Sequence, residues 1–214
     1  MTISIVIVDD HAILREGLGQ VLAQQPDLEV VGSSGDGRQS LKLVAQLRPD
    51  VVILDISMPG LNGIEVARQL QESGAACAVV ILSMHASPEY VFQAIEAGAR
   101  GYLQKESAAS DIVEAVRAVR AGRRYLGPGI AELVAEHLAS RKTGDNPLQL
   151  LSRREREILQ LVAEGHSSAE IGELLFLSPK TVDSYRSRLM GKLGLADVTA
   201  LVKFAIRHGV IPLD

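Results

Sequence analysis

Between residues 3 and 120 the chain alternates short β-branched runs with segments of helical period. That alternation admits few folds, because strands separated by helix-length connections pair in parallel and need both faces of their sheet covered. Five runs read as strands, at 3–8, 28–33, 51–54, 79–83 and 101–103, each apolar enough for burial on both faces. Helical faces repeat at Leu14, Leu18, Val21 and Leu22, at Leu41, Val44, Ala45 and Leu47, at Val91, Phe92 and Ile95, and at Ile112, Val113, Val116 and Val119.

The pattern then changes. Gly127-Pro128-Gly129 interrupts it, a helix is expected near 129–139, and 141–147 has the composition of a linker. Beyond that point every segment is helical in period. The expected division is therefore an α/β domain over 1–122, a linker over 123–147 that includes the helix, and an all-α domain over 148–214. A chain of 214 residues suits two such domains better than one. Charge follows the same division: residues 1–140 hold 11 Lys/Arg against 17 Asp/Glu, net −6, and residues 141–214 hold 11 against 9, net +2. A surplus of two is modest for nucleic-acid binding, so the position of the cations must carry that argument.

The single cysteine, Cys77, excludes an intramolecular disulfide framework and the usual zinc spacings. The N-terminal stretch lacks the basic region and cleavage site of a signal peptide, and no apolar run approaches a membrane span. The expectation is a cytoplasmic protein with no membrane partner.

Asp9 and Asp10 follow the first strand, Asp55 the third, Ser83 ends the fourth, and Lys105 follows the fifth. In an open α/β sheet ligands bind at the carboxyl edge, so these groups would converge in one crevice. Taken singly, an Asp at a strand end is more often a turn or cap residue; five polar groups in register make a site. Three carboxylates that close repel one another, and a hard cation such as Mg2+ relieves the repulsion. With the cation held by Asp9 or Asp10 together with Asp55, one Asp55 oxygen remains free to attack phosphorus, giving an aspartyl phosphate. Lys105 would neutralise the phosphoryl oxygens and Ser83 would donate to one of them. His11 reads as a helix-start residue. Met84 and His85, directly after Ser83, are expected to slow water attack on the phosphoaspartate.

In the second domain, Ser152 with Glu155 and Ser167 with Glu170 have capping-box spacing. Ser178-Pro179 supplies an N-cap and first-turn proline for a third helix, with Val182, Tyr185, Leu189 and Leu193 on its core face. Residues 196–208 read as a fourth helix. The short turn at 176–178 makes the second and third helices a helix-turn-helix. Lys180, Asp183, Ser184, Ser187 and Arg188 then face outward, with Arg186 and Lys192 at the flanks. Lys180, Thr181, Arg186, Arg188 and Lys192 would reach phosphates, and Asp183, Ser184 and Ser187 base edges. An Asp there repels phosphates but accepts from a cytosine amino group, which favours selective reading.

Val8-Asp9-Asp10-His11, Leu54-Asp55-Ile56-Ser57-Met58-Pro59-Gly60, Leu82-Ser83-Met84-His85 and Gly101-Tyr102-Leu103-Gln104-Lys105 resemble the receiver motifs of two-component response regulators. The stretch from Leu151 to Leu159, with Ser178-Pro179-Lys180-Thr181-Val182 and Lys192-Leu193-Gly194, resembles the LuxR-type helix-turn-helix. Together they place the chain beside the NarL/FixJ subclass. Tyr185 and Asp183 depart from that subclass's commonest residues, which bears on the target sequence.

The resemblance implies a flavodoxin-like receiver with a five-stranded parallel sheet in the order 2-1-3-4-5, followed by a four-helix DNA-binding domain. It implies phosphorylation of Asp55 by a sensor histidine kinase, and a Ser57 backbone carbonyl offered to Mg2+. Tyr102 is implied to swing inward as Ser83 approaches the phosphoryl group. It further implies a homodimer on double-stranded DNA, with RNA polymerase as another partner. The expected function is a phosphorylation-dependent transcriptional regulator whose only chemistry is its own Mg2+-dependent phosphorylation and dephosphorylation. A phosphatase using Asp55 as nucleophile would need an Asp where Ser57 stands. A receiver activated by protein contact alone would not need the complete Asp, Ser and Lys set.

Overall fold

The computed structural model describes residues 2–140 and 146–212, with side chains described outside 136–140. The chain divides into two compact units, Met1–Arg141 and Lys142–Asp214. Of the expected linker over 123–147, residues 141–145 lie outside the described residues.

The first unit is an α/β sandwich of three layers. Its strands are β1 (Ile3–Val8), β2 (Leu28–Ser34), β3 (Val51–Leu54), β4 (Ala78–Ser83), β5 (Gly101–Gln104) and β6 (Tyr125–Leu126). All pair in parallel, in the order β2-β1-β3-β4-β5-β6. The five expected strands are present, and the two-residue β6 extends the sheet beyond them. Its neighbour in sequence, Gly127, continues the ladder by donating its N–H to the Tyr102 carbonyl at 2.8 Å.

Side chains alternate across the strands, so each face gathers its own core. Val6, Val8, Val52, Leu54 and Ile81 pack beneath the helices α2 (Gly37–Leu47), α3 (Gly63–Glu72) and α4 (Pro88–Glu96). Ile5, Ile7, Ile53, Val80 and Leu82 pack beneath α1 (Ala12–Ala23) and α5 (Ala109–Arg120). The helix α6 (Ile130–Ser140) joins the first of these cores through Ile130, which is buried in the same cluster as Tyr102, Val91 and Ala94. Tyr102 and the helix that leads out of this unit therefore share one hydrophobic cluster.

None of the four expected helical faces covers α3. Its buried side includes Glu65 and Gln69 among Ile64, Val66, Ala67 and Leu70, so hydropathy alone assigns part of that face to solvent. Asn62 caps this helix by accepting from the Glu65 N–H at 2.9 Å. Gly63 is required at its first position, because a Cβ there would stand 1.9 Å from the Asp55 carbonyl oxygen.

The second unit holds a 3-10 turn (Pro147–Leu150) and the helices α7 (Arg153–Ala163), α8 (Ser168–Leu175), α9 (Pro179–Leu193) and α10 (Val198–Arg207). Both capping boxes form, at Ser152/Glu155 and at Ser167/Glu170. Ser178 caps α9 with Pro179 in its first turn, and Gly194 closes it at φ 65°. Ile158, Leu159, Ile171, Leu175, Val182, Leu189 and Leu201 form the core, with Tyr185 and Leu193 packed at its edge. The α8–α9 turn is tight: Phe176 adopts φ 56°, and a Cβ on Gly172 would lie 2.7 Å from the Leu177 carbonyl.

Candidate phosphoryl site and nucleic-acid interface

Register brings the acidic residues together. Val8 stands opposite Leu54, and the Asp55 N–H donates to the Val8 carbonyl at 2.8 Å, so the residues just past both strands share the carboxyl edge. On the far side Ser83 pairs with Gln104, and the Lys105 N–H donates to the Ser83 carbonyl at 2.9 Å. All five expected groups thus lie along one edge, as the spacing predicts.

Lys105 Nζ lies 2.7 Å from Asp9 Oδ2 and 2.9 Å from Asp55 Oδ2. Asp9 and Asp55 are both buried, whereas Asp10 is exposed. Burial pushes the Asp55 carboxyl above the ordinary aspartate range; Lys105 opposes that shift and Asp9 adds to it. Burial also works against the Lys105 ammonium, but Asp9 and Asp55 outweigh it and hold its pKa above the ordinary lysine value.

The ion pair does not complete the coordination of Asp55. Both of its oxygens are buried, and beyond the Lys105 ion pair they lack well-formed hydrogen bonds, so the carboxylate retains capacity to accept. Ligand atoms of Asp9, Asp10, His11 and Asp55 all lie within 4.8 Å of one another. Hard oxygen donors, excess negative charge and unsatisfied buried oxygens fit a divalent cation.

His11 belongs to this cluster, beyond the helix-start role expected for it. Its Nδ1 lies 3.2 Å from Asp9 Oδ1 and 2.9 Å from Asp10 Oδ1. No strand-end pattern marks it, because it enters through the first turn after β1. His85, expected with Met84 to shield the phosphoaspartate, makes contacts that its position in the motif does not show. Its Nε2 lies 3.0 Å from Ser57 Oγ, its ring stacks on Tyr90 at 4.4 Å, and its N–H donates to Ser83 Oγ at 3.1 Å. Met84 is 62% exposed. Tyr102 already lies inward, fully buried, with its hydroxyl donating to the His85 carbonyl at 2.7 Å.

On the helix-turn-helix the outward residues divide by what holds them. Lys180, Ser187 and Arg188 are exposed, the Arg188 guanidinium lying 5.0 Å from the Tyr185 ring centre. Thr181 Oγ1 meets Ser178 Oγ at 2.7 Å, and Ser184 donates back to the Lys180 carbonyl at 2.9 Å. Ser168, at the start of α8, donates to Asp183 Oδ1 at 2.6 Å and accepts from Arg186 Nη1 at 3.0 Å. Lys192 Nζ lies 2.6 Å from Glu155 Oε2, the same oxygen that accepts from Ser152.

A parallel sheet with an acidic pocket and lysine at its carboxyl edge, followed by a helix-turn-helix unit, defines a signal-receiving regulator with a DNA-binding output. Comparison with known proteins agrees. Residues 5–117 match the response regulator receiver domain, and residues 149–205 match the bacterial regulatory proteins of the luxR family. The chain is 37% identical to the response regulator GacA of Pseudomonas aeruginosa over 209 residues, 98% of each chain. It is 27% identical to RcsB from Salmonella enterica serovar Typhimurium bound to a promoter in the presence of the phosphomimetic BeF3−, with TM-score 0.62 over 95% of this chain and 98% of that one. A structure of two RcsB dimers bound to two parallel DNAs is 26% identical, with TM-score 0.61 and the same coverage. The chain belongs to the two-component response regulators of the NarL/FixJ class, with a receiver domain and a LuxR-type helix-turn-helix. That family comprises signal-transducing transcription factors and not conventional enzymes. No helix among the described residues is long and apolar enough to cross a membrane.

Proposed function

We propose that Asp55 accepts a phosphoryl group from a sensor histidine kinase in the cytoplasm, and that the phosphorylated protein binds promoter DNA as a homodimer and acts on RNA polymerase. The receiver spans 1–122, a linker with the α6 helix spans 123–147, and the DNA-binding domain spans 148–214.

The observation that carries this reading is the buried, incompletely satisfied carboxylate of Asp55 beside Lys105 and the Asp9/Asp10 pair. Asp9, Asp10, Asp55 and the Ser57 backbone carbonyl would hold Mg2+, which supplies positive charge against the transferring phosphoryl oxygens. Asp55 attacks phosphorus through one carboxylate oxygen, and the donor's bond to phosphorus breaks. The Lys105 ammonium, already charged and fixed, moves its contact from carboxylate to phosphoryl oxygen. Ser83 gives up its contact with the His85 N–H and donates to another phosphoryl oxygen, and Tyr102 reports that movement to the core it shares with Ile130.

On DNA, Lys180, Thr181, Arg186, Arg188 and Lys192 contact phosphates, while Asp183, Ser184 and Ser187 address base edges. A single small domain with few phosphate contacts binds weakly and with strong salt dependence, and pairing two of them raises affinity through effective concentration. The RcsB complexes support the dimeric reading by likeness. Incubation with acetyl phosphate and Mg2+ tests the whole proposal: wild type should acquire one acid-stable, base-labile phosphate and bind DNA more tightly, and Asp55→Ala should do neither. Labelling of Asp55→Ala equal to wild type would overturn the assignment.

A further inference from the structure

We infer that Ser168, on the first helix of the helix-turn-helix, is a positioning residue that fixes Asp183 as a selective acceptor for an amino-bearing base. This rests on the proposed DNA reading and deepens it.

A serine hydroxyl has one proton and two lone pairs. Arg186 Nη1 donates into Ser168 Oγ at 3.0 Å, which leaves the hydroxyl proton directed at Asp183 Oδ1, 2.6 Å away. The chain of bonds therefore has one polarity, from guanidinium through hydroxyl to carboxylate. It crosses from α8 to α9 and ties a residue in the first two turns of the recognition helix to the helix behind it.

Two consequences follow for Asp183, which is exposed on the outward face of α9. Its carboxylate is held in one rotamer before any ligand arrives, so less side-chain freedom is lost on binding. With one acceptor site of Oδ1 engaged, Oδ2 is the oxygen better placed to accept, and an ionised carboxylate has no proton to donate. In the major groove the partner of such a group is an exocyclic amino group, with cytosine N4 the characteristic match. Arg186, bonded to the same hydroxyl, lowers the repulsion that a lone Asp would exert on neighbouring phosphates. The protein would thus demand cytosine at one position of each half-site, and Ser168 would set how strictly.

The test is selection from a randomised double-stranded DNA pool by the phosphorylated full-length protein, for wild type, Ser168→Ala, Ser168→Thr and Asp183→Asn, with melting temperatures measured alongside. The expected result is a cytosine preference at one position per half-site, of roughly tenfold in wild type. In Ser168→Ala that preference falls to about twofold, with other positions and affinity for unselected DNA unchanged. Ser168→Thr, which keeps the hydroxyl, retains it, and Asp183→Asn shifts it toward adenine, whose edge matches an amide. Ser168→Ala with the wild-type preference intact overturns the inference. So does a uniform loss of preference at every position together with a lowered melting temperature, which marks a purely structural role. Failure of wild type to select any sequence overturns the DNA reading itself, and the inference with it.

Discussion

The Tyr102 hydroxyl donates to the backbone carbonyl of His85 at 2.7 Å, joining β5 to the loop that follows β4. The His85 N–H in turn donates to Ser83 Oγ, so His85 is bonded both to Ser83 and to Tyr102, which belongs to the same hydrophobic cluster as Ile130. If Ser83 moves toward a phosphoryl group as proposed, the His85 N–H would lose its acceptor and the loop that holds Tyr102 would loosen.

Tyr102→Phe keeps the ring and removes the hydroxyl. Loss of one hydrogen bond should cost about 1 kcal/mol of stability. Asp55 should still label with acetyl phosphate, while the phosphorylation-linked gain in DNA affinity should fall about fivefold or more. A full gain in the variant would remove the hydroxyl from the route.

Loss of phosphate from Asp55 should respond to His85 and not to Met84. The His85 ring reaches Ser57 and stacks on Tyr90, whereas Met84 is largely exposed. His85→Ala is expected to hasten dephosphorylation several-fold, and Met84→Ala to leave it within about twofold. The decay of 32P-labelled protein measures both, and the reverse ranking would assign the shielding to Met84.

Mg2+ should stabilise the wild-type receiver. A cation that binds the folded pocket and not the unfolded chain would add roughly 2.7 kcal/mol at about 100 times its dissociation constant. Asp55→Asn removes one charged ligand and should lose most of that gain, while its melting temperature without Mg2+ stays at or above that of wild type, because burial disfavours the Asp55 charge. Thermal melts across a Mg2+ titration provide the check; equal gains in both proteins would place the cation elsewhere.

At the opposite edge of the sheet, Asp50 Oδ2 accepts from the Ser4 N–H and hydroxyl, each at 2.9 Å, and Oδ1 lies 3.0 Å from Arg120 Nε. The Ser4 hydrogen bonds hold its carboxyl below the ordinary aspartate value. A depressed carboxylate contributes stability that is present above its unfolded pKa, about 4, and lost as pH falls through its folded pKa. Asp50→Asn should cost about 1–3 kcal/mol at pH 7, and the gap to wild type should close below about pH 4. A gap that stays constant down to pH 2 would show that the charge contributes nothing.

Lys192 should matter for folding as well as for DNA. Its ammonium meets Glu155 Oε2 at 2.6 Å, the oxygen that also caps α7, and together with the Ser152 hydrogen bonds it offsets burial and holds Glu155 below the ordinary glutamate value. Lys192→Met is expected to lower the melting temperature of the DNA-binding domain by several degrees, whereas Lys180→Met leaves it unchanged and reduces only DNA affinity. Equal melting temperatures in both variants would restore Lys192 to a purely phosphate-binding role.

Much of this protein follows from residue order. A strand is recognised by β-branched density and a helix start by its cap, both local properties; hence the five main strands, both capping boxes and the Ser178-Pro179 start are readable one segment at a time. The edge that collects Asp9, Asp55, Ser83 and Lys105 follows as well, since parallel strands point their carboxyl ends the same way. What the order of residues does not carry is contact between segments. Helix α3 is obscured because Glu65 and Gln69 are buried by neighbours and not by their own polarity, and β6 is too short to show any alternation. His85 gains its place only when the loop after β4 closes over Ser57, and Asp183 is tied to Ser168 only when α8 packs on α9. Sequence by itself determined which residues could carry charge, cap helices and end strands. Tertiary structure alone decided which of them share a hydrogen bond, because that depends on distances across the fold that no local pattern encodes.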